Sequence, residues 1–218
     1  MMYQRTVYNR KTVQTITPPA ALVVSVADVK AFLIDVPASD DAIIEHFIRT
    51  ATESAKQYTR RAIAIETLEC QMDGFSAPDG DDRLAAMGAG TFTAYVPSIL
   101  GGAGEVDLPF APLQSVTSIT TFSRANVSSV VDPALYQVDL QSGRVYLNEG
   151  ETWPVDLRAR AAVQIRYVAG YTSIPADMAQ AIIQHAAAMY ECRSACEAPK
   201  VARELLTPYR LADGLAAW

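Results

Sequence analysis

Histidine and cysteine, on which most metal sites and nucleophilic active sites depend, are scarce in this sequence. Its 218 residues contain two histidines and three cysteines. Cys70, Cys192 and Cys196 form neither an even set nor a series of short spacings, so they do not indicate the disulfide framework of a secreted domain. We therefore expect reduced thiols.

Long apolar runs and a leader sequence are also missing. The longest apolar stretches, around residues 20–26 and 179–183, fall well short of the roughly 20 residues that cross a bilayer. The first 15 residues are polar and lack the apolar segment of a secretory signal. We expect a soluble protein that is made and assembled in the cytoplasm and has no membrane partner.

No concentrated basic segment is present. The chain has 18 Lys and Arg against 24 Asp and Glu, a formal net charge of -6. Proteins that grip nucleic acid by its phosphates usually carry a basic face. The short groups at Arg60-Arg61 and around Arg158 are interpreted as ordinary solvated surface.

Helix signals occupy both ends of the sequence. Ser25 caps a short helix, and Ser39-Asp40-Asp41 caps a longer one that runs to about Arg60 with a single apolar stripe. Pro175 suits the first turn of a third helix ending near Arg193, and Pro199 opens a fourth through Leu206.

Strand signals lie between them. Residues 63–72, 115–123 and 162–168 have strand patterns, and residues 136–140 and 144–147 flank Gly143 as a hairpin. Residues 76–105 are read as a long loop with a possible strand at 91–96. We predict an α+β fold that is mainly α: a helical bundle with a small antiparallel β element, extended loops and terminal arms. A doubly wound nucleotide-binding sheet is excluded.

Candidate sites for chemistry are incomplete. His185, Cys192 and Cys196 could share one side of a helix, but they supply only three zinc ligands. Asp79, Asp81 and Asp82 lack the other ligands of a calcium loop. The Gly101-Gly102-Ala103-Gly104 run has no following lysine or helix, and neither histidine has a serine or cysteine motif beside it. We assign no catalytic, cofactor-binding or metal-binding residue and predict a protein that is not an enzyme.

An ordered series of motifs runs through the chain. It consists of Thr17-Pro18-Pro19, Val29-Lys30-Ala31-Phe32-Leu33, Asp40-Asp41, Tyr58-Thr59-Arg60-Arg61, the segment 108–119 (LPFAPLQSVTSI), Tyr136-Gln137-Val138-Asp139, Gly143-Arg144-Val145, Trp153-Pro154, Ala169-Gly170-Tyr171 and the segment 205–210 (LLTPYR). This series resembles the phage head-to-tail connector family, including its relatives in gene transfer agents. The departures are the N-terminal arm, residues 76–105 and residues 211–218.

The resemblance implies a structural virion protein at the junction between head and tail. Its relatives form a ring, commonly of twelve copies, that docks on the portal protein, carries the next neck or tail component, and lets DNA pass without sequence-specific binding. The implied division is an N-terminal arm (1–16), a connector domain (17–210) with a long loop (76–105) and a β-rich part (106–170), and a C-terminal docking tail (211–218).

Two residue sets carry hypotheses within this interpretation. Asp79, Asp81 and Asp82 are expected to face the channel, where an acidic wall lets the duplex slide. Leu211, Leu215 and Trp218 are expected to dock on the portal, because large apolar residues at a terminus suit a docking arm. The alternatives are a tail-completion or stopper protein of the neck and, from another class, a metal-binding enzyme or regulator using His185, Cys192 and Cys196.

Overall fold

The computed structural model describes residues 11–33, 36–75, 105–193 and 196–211. These residues form two compact units, each assembled from separate stretches of the chain. The helical unit comprises residues 17–66, 110–112 and 169–211 within the described ranges, and the β unit comprises residues 11–16, 67–109 and 113–168 within them.

Four α-helices form the helical unit: α1 (Val26–Phe32), α2 (Asp41–Thr59), α3 (Ala176–Cys192) and α4 (Lys200–Leu206). Ser25 and Asp28 close a reciprocal capping box at the start of α1. Helices α2 and α3 both end in a residue with left-handed backbone, Arg60 (φ 58°) and Arg193 (φ 49°). The predicted positions of all four helices are confirmed.

The core of the helical unit lies between α2, α3 and α4. Ile44, Ile48, Met178 and Ile182 are fully or almost fully buried there. Buried alanines in this core have small side chains, which let the helices approach closely. They are Ala51, Ala55, Ala181, Ala186, Ala187 and Ala202. Burial of this much apolar surface is what holds the helices together, since α1 and α4 are each too short to be stable alone.

Eight strands are found among the described residues: β1 (Thr12–Thr17), β2 (Glu66–Met72), β3 (Glu105–Asp107), β4 (Leu113–Phe122), β5 (Ser128–Val130), β6 (Tyr136–Asp139), β7 (Arg144–Leu147) and β8 (Val163–Ala169). They form a five-stranded sheet in the order β1-β2-β8-β4-β5 and a three-stranded sheet in the order β3-β7-β6. Both sheets are antiparallel.

The predicted β6–β7 hairpin is confirmed. Gly143 has φ 80°, the positive value that the turn requires, and the register pairs Val138 with Val145. Another glycine of the motif series, Gly170, has φ 126°, and a Cβ there would collide with the backbone of Ala64. Only glycine therefore fits at this close approach.

The predicted fold class was wrong. A mainly α bundle with a small β element does not describe a chain with eight strands in two antiparallel sheets. Three strands lie where the sequence predicts none: β1 falls in the predicted polar arm, β3 begins at the last residue of the predicted long loop, and β5 lies between the predicted strands of the β-rich part. Strands β3 and β5 have three residues each. Three residues are too few for a periodic pattern to be read.

Candidate assembly surfaces

The residues weighed as metal ligands make other contacts. His185 is buried on α3, and its Nε2 lies 3.1 Å from the carbonyl oxygen of Cys196. The thiols of Cys192 and Cys196 are hydrogen-bonded; burial first, and then this bond, raises the pKa of Cys196. Within the described ranges no group of three or more His, Cys, Asp or Glu side chains could hold a metal ion.

Cys70 is a core residue of β2. None of the three cysteines forms a disulfide in the structure. Burial raises the pKa of the Cys70 thiol to about 11, despite the opposing charge of Lys11, so this thiol stays protonated at neutral pH. Cys70 therefore has the character of a small apolar core residue and not of a nucleophile.

The C-terminal segment is fixed where it leaves the fold. The backbone N–H of Leu211 donates to the carbonyl oxygen of Thr59 at 3.0 Å, and Arg61 Nε donates to the carbonyl oxygen of Tyr209 at 2.7 Å. The Tyr58 hydroxyl lies 3.1 Å from Thr207 Oγ1. Leu211, the first residue of the predicted docking tail, is thus tied to the C-terminal end of α2.

The other residues of the two hypotheses cannot be placed. Leu215 and Trp218 of the predicted docking tail lie outside the described residues, and so do Asp79, Asp81 and Asp82. Phe75, where the described chain stops before this acidic segment, stacks on Trp153 with ring centroids 4.1 Å apart. Phe75 itself is therefore anchored in the β unit.

A shallow groove of about 320 Å³ opens between α2, α3 and α4. Its walls include Ala51, Tyr58, His185 and Leu206, and the Arg203–Glu197 ion pair (3.1 Å) lies at its rim. Half of the lining residues are alanine or leucine, and the other half are polar. The charged pair at the rim is satisfied internally, and the His185 ring is bonded to a backbone carbonyl.

A polar network crosses one face of the five-stranded sheet. Its centre is Glu69 on β2, which is only 2% exposed. Arg166 Nη2 donates to one carboxylate oxygen at 2.9 Å and Gln14 Nε2 to the other at 3.0 Å, with further bonds from Gln71 and Gln164. Burial acts to raise the pKa of Glu69, but these hydrogen bonds outweigh it and hold the pKa below its ordinary value. Glu69 is therefore a carboxylate at neutral pH.

Large apolar side chains are exposed on both units. They are Ile16, Val127, Val130, Leu140, Tyr146 and Val155 in the β unit, and Phe32, Ile43, Ile65 and Val201 in the helical unit. Val155 is 89% and Val130 is 66% exposed. Single exposed apolar residues are common. Val130, however, lies on β5, the outer strand of the five-stranded sheet, and Val127 directly precedes that strand.

Sequence reasoning missed the Glu69 network and the exposed strand β5. A carboxylate between the core residues Leu68 and Cys70 was the one available signal for the network. Its partner Arg166 lies 97 residues away, and the sequence does not reveal which strands are neighbours. No helix within the described ranges has the length and hydropathy of a membrane span.

Comparison with known proteins gives structural relatives only. No family model and no curated protein matches the sequence. Among solved structures, the chain matches one from the neck of an empty gene transfer agent particle computed with C6 symmetry, with a TM-score of 0.68 at 20% identity. It also matches a chain of the native gene transfer agent virion (0.65, 19%) and one of the native neck computed with C12 symmetry (0.64, 20%).

Each of these three matches covers 94% of this chain and 98% of the other. At such low identity the likeness establishes the fold: the chain is built like a chain found in the neck of a gene transfer agent particle. The resemblance indicated by the motif series is confirmed at that level.

Proposed function

We propose that the chain is a non-enzymatic structural subunit of the neck of a gene transfer agent or tailed-phage particle. In this role it forms a ring between the portal and the next neck or tail protein. The observation that carries the proposal is the end-to-end match, with TM-scores of 0.64–0.68, to chains of a gene transfer agent neck and virion.

The described surface supports an assembly role. Its distinguishing feature is a set of exposed apolar residues on both units. A ring needs two different, complementary surfaces on every copy, so that head-to-tail contacts close. The matched necks were computed with C6 and C12 symmetry, and a ring of twelve copies is compatible with both.

The decisive experiment is native mass spectrometry of the purified chain with and without the portal protein of the same particle. We expect a closed ring on the portal, most simply of twelve copies. A chain that stays monomeric and does not bind the portal would overturn the proposal. Binding to a downstream neck protein instead would place the chain at the stopper position.

The C-terminal tail is proposed to dock on the portal. Leu211 is the last described residue and is tied to Thr59, so a truncation that removes residues 212–218 keeps this contact. This truncation, and the double variant Leu215→Ala/Trp218→Ala, should leave a folded subunit that no longer joins the portal. Co-assembly at the wild-type level would contradict the docking role.

The acidic segment is proposed to face the DNA channel. The formal net charge of -6 suits a wall that repels phosphates. Changing Asp79, Asp81 and Asp82 to lysine should slow or block DNA passage, whereas changing them to asparagine should have a smaller effect. Unchanged infectivity or gene transfer with the lysine variant would remove this role.

A further inference from the structure

We propose that the two outer strands of the five-stranded sheet are the joint between neighbouring copies. Strand β5 of one copy pairs with strand β1 of the next, so that the sheet continues from subunit to subunit. The inference rests on the proposed ring, and it names the surfaces that close it.

Among the described residues, the hydrogen-bonding pattern leaves the outer edge of β5 without a neighbouring strand. Val131 N–H donates to the Ile119 carbonyl at 2.8 Å, and Ser123 N–H donates to the Val127 carbonyl at 2.9 Å. Bonded and non-bonded pairs alternate along an antiparallel ladder. Ser128 and Val130 lie at the non-bonded positions, so their N–H and C=O groups point away from β4.

Neither outer strand carries the charged residues or the proline that often protect a sheet edge. Strand β1 reads TVQTIT and β5 reads SSV. Five of the six residues of β1 and all three of β5 are exposed. The short length of β5 limits this edge to three residues, whereas β1 offers six. Outer strands without charge or proline at both ends of one sheet are expected where both become covered on assembly.

One face of the sheet can be traced from β5 inward. Val130 lies opposite Thr120 on β4. Phe122 N–H donates to the Ala162 carbonyl at 2.8 Å, so Phe122 lies opposite Ala162 and Thr120 opposite Gln164. Side chains on opposed residues share a face. Val130 is therefore on the same face as Gln164.

The same face continues to β1. Gln164 hydrogen-bonds to Glu69, and Gln14 on β1 bonds to Glu69 as well. Ile16 shares the face of Gln14, because side chains alternate along a strand. Ile16 and Val130, 40% and 66% exposed, thus lie on one face at opposite edges. When the sheet continues into the next copy, Val130 of one copy and Ile16 of the next both lie at the β5–β1 joint.

A second copy is the occupant that fits these observations. The outer edge of β5 offers the backbone groups of Ser128 and Val130, and β1 is the outer strand at the other end of the described sheet. Another extended strand satisfies such backbone groups along its length. The two edges belong to different strands, which is what a head-to-tail contact requires. The first and fifth strands of an antiparallel sheet point the same way, so β5 and the neighbouring β1 pair in parallel.

The first test introduces charged side chains at the proposed β5–β1 joint. In the full chain, Ile16→Lys/Val130→Lys places like charges together at every joint, and the ring should be lost from the native mass spectrum in favour of monomer. Ile16→Lys/Val130→Glu places opposite charges there and should restore the ring. Val201→Lys, an exposed change in the helical unit, should leave the ring unchanged.

The outcomes separate the joint from the proposed function. A ring that survives the double lysine change, or one that the lysine and glutamate pair fails to restore, overturns the β5–β1 joint while the neck role stands. A wild-type chain that forms no ring even with portal overturns the proposed function itself.

The second test is cross-linking. In a Cys192→Ser/Cys196→Ser background, Val130→Cys is combined in turn with cysteine at residue 12, 14 or 16, which share the face. A disulfide forms where the Cα atoms are about 4.4–6.8 Å apart. At least one pair should give a ladder of covalent oligomers on a non-reducing gel, while each single variant stays monomeric. Three pairs without a ladder, in a sample that forms rings, overturn the joint.

Discussion

Two carboxylates of strand β2 meet different surroundings in the two units. Glu66 belongs to the helical unit and is paired with Lys56 at 2.7 Å, with side chains only 4% and 9% exposed. Glu69 belongs to the β unit and shares its charge among an arginine and several glutamines on a sheet face, where Arg166 is half-exposed. Removing one partner of the buried pair leaves the other charge without its counter-ion, which should cost much stability. Removing one hydrogen bond of the Glu69 network leaves the other bonds in place, which should cost less.

The largest effect is expected where the buried pair is broken. Lys56→Met should lower the free energy of unfolding by about 3–5 kcal/mol, because it removes the cation paired with the buried Glu66 carboxylate. It also removes the contact of Lys56 Nζ with the Phe110 ring, whose centroid lies 5.1 Å away. Chemical denaturation measures the change. Lys56→Met/Glu66→Leu, which removes both charges, should recover most of the loss. A single variant as stable as the wild type would show that the pair is not critical.

The core of the helical unit should be nearly as sensitive. Ile48 is fully buried on α2, while Ile43 on the same helix is 47% exposed. Ile48→Ala should cost about 2–5 kcal/mol through lost burial and the cavity left behind. Ile43→Ala is the matched control and should cost less than about 1 kcal/mol. Equal losses in thermal or urea unfolding would mean that the described core does not carry the stability of this unit.

The Glu69 network should show a smaller and pH-dependent effect. Glu69→Gln should cost about 1–3 kcal/mol at pH 7, since charge-assisted bonds are replaced by neutral ones. The pKa of Glu69 is held below its ordinary value of 4.5, so the unfolded chain takes up the proton first as the pH falls. The stabilisation is therefore complete above about pH 4.5 and is lost as the pH falls through the folded-state pKa.

Urea unfolding of wild type and variant across this range provides the measurement. The difference between the two proteins should narrow below about pH 4.5. Other carboxylates, including Asp28 and Asp139, also titrate there, but they are common to both proteins and cancel. A difference that is constant with pH would contradict the charge-based account.

The sequence predicted those elements whose signals are local. Ser25 marks a helix start through its capping box and Pro175 through its fixed backbone geometry, and Gly143 marks the hairpin. The predicted cap at Ser39-Asp40-Asp41 marks the right position, but Asp40 makes no side-chain cap and accepts instead from the Tyr190 hydroxyl. Pairing between distant strands is not local. Five of the six residues of β1 are β-branched, which favours a strand, but they show no apolar alternation and continue a polar stretch that favours an arm. Strand β5 has three residues, too few for a period.

The contacts at the candidate surfaces are likewise not local in sequence. The tie between Leu211 and Thr59 and the bond between Glu69 and Arg166 join residues far apart in the chain. No sequence spacing encodes them, because they depend on which helix end or strand lies alongside. The expected docking arm near the C-terminus is based on residue type and position alone and not on which elements are neighbours. It stays a prediction.

The smallest effect on stability is expected at the sheet edges, where exposed residues can be compared with a buried residue of the same sheet. Val130→Lys and Ile16→Lys should each change the free energy of unfolding of the monomer by no more than about 0.5 kcal/mol, because both side chains already reach solvent. Ile119→Lys is the matched control on β4, since Ile119 is fully buried and a lysine there would bury an unpaired charge. Urea unfolding at a concentration where the chain is monomeric measures all three variants. If either edge variant unfolds as readily as Ile119→Lys, the edges contribute to the fold of the single subunit, and a loss of rings in that variant would reflect unfolding and not a broken joint.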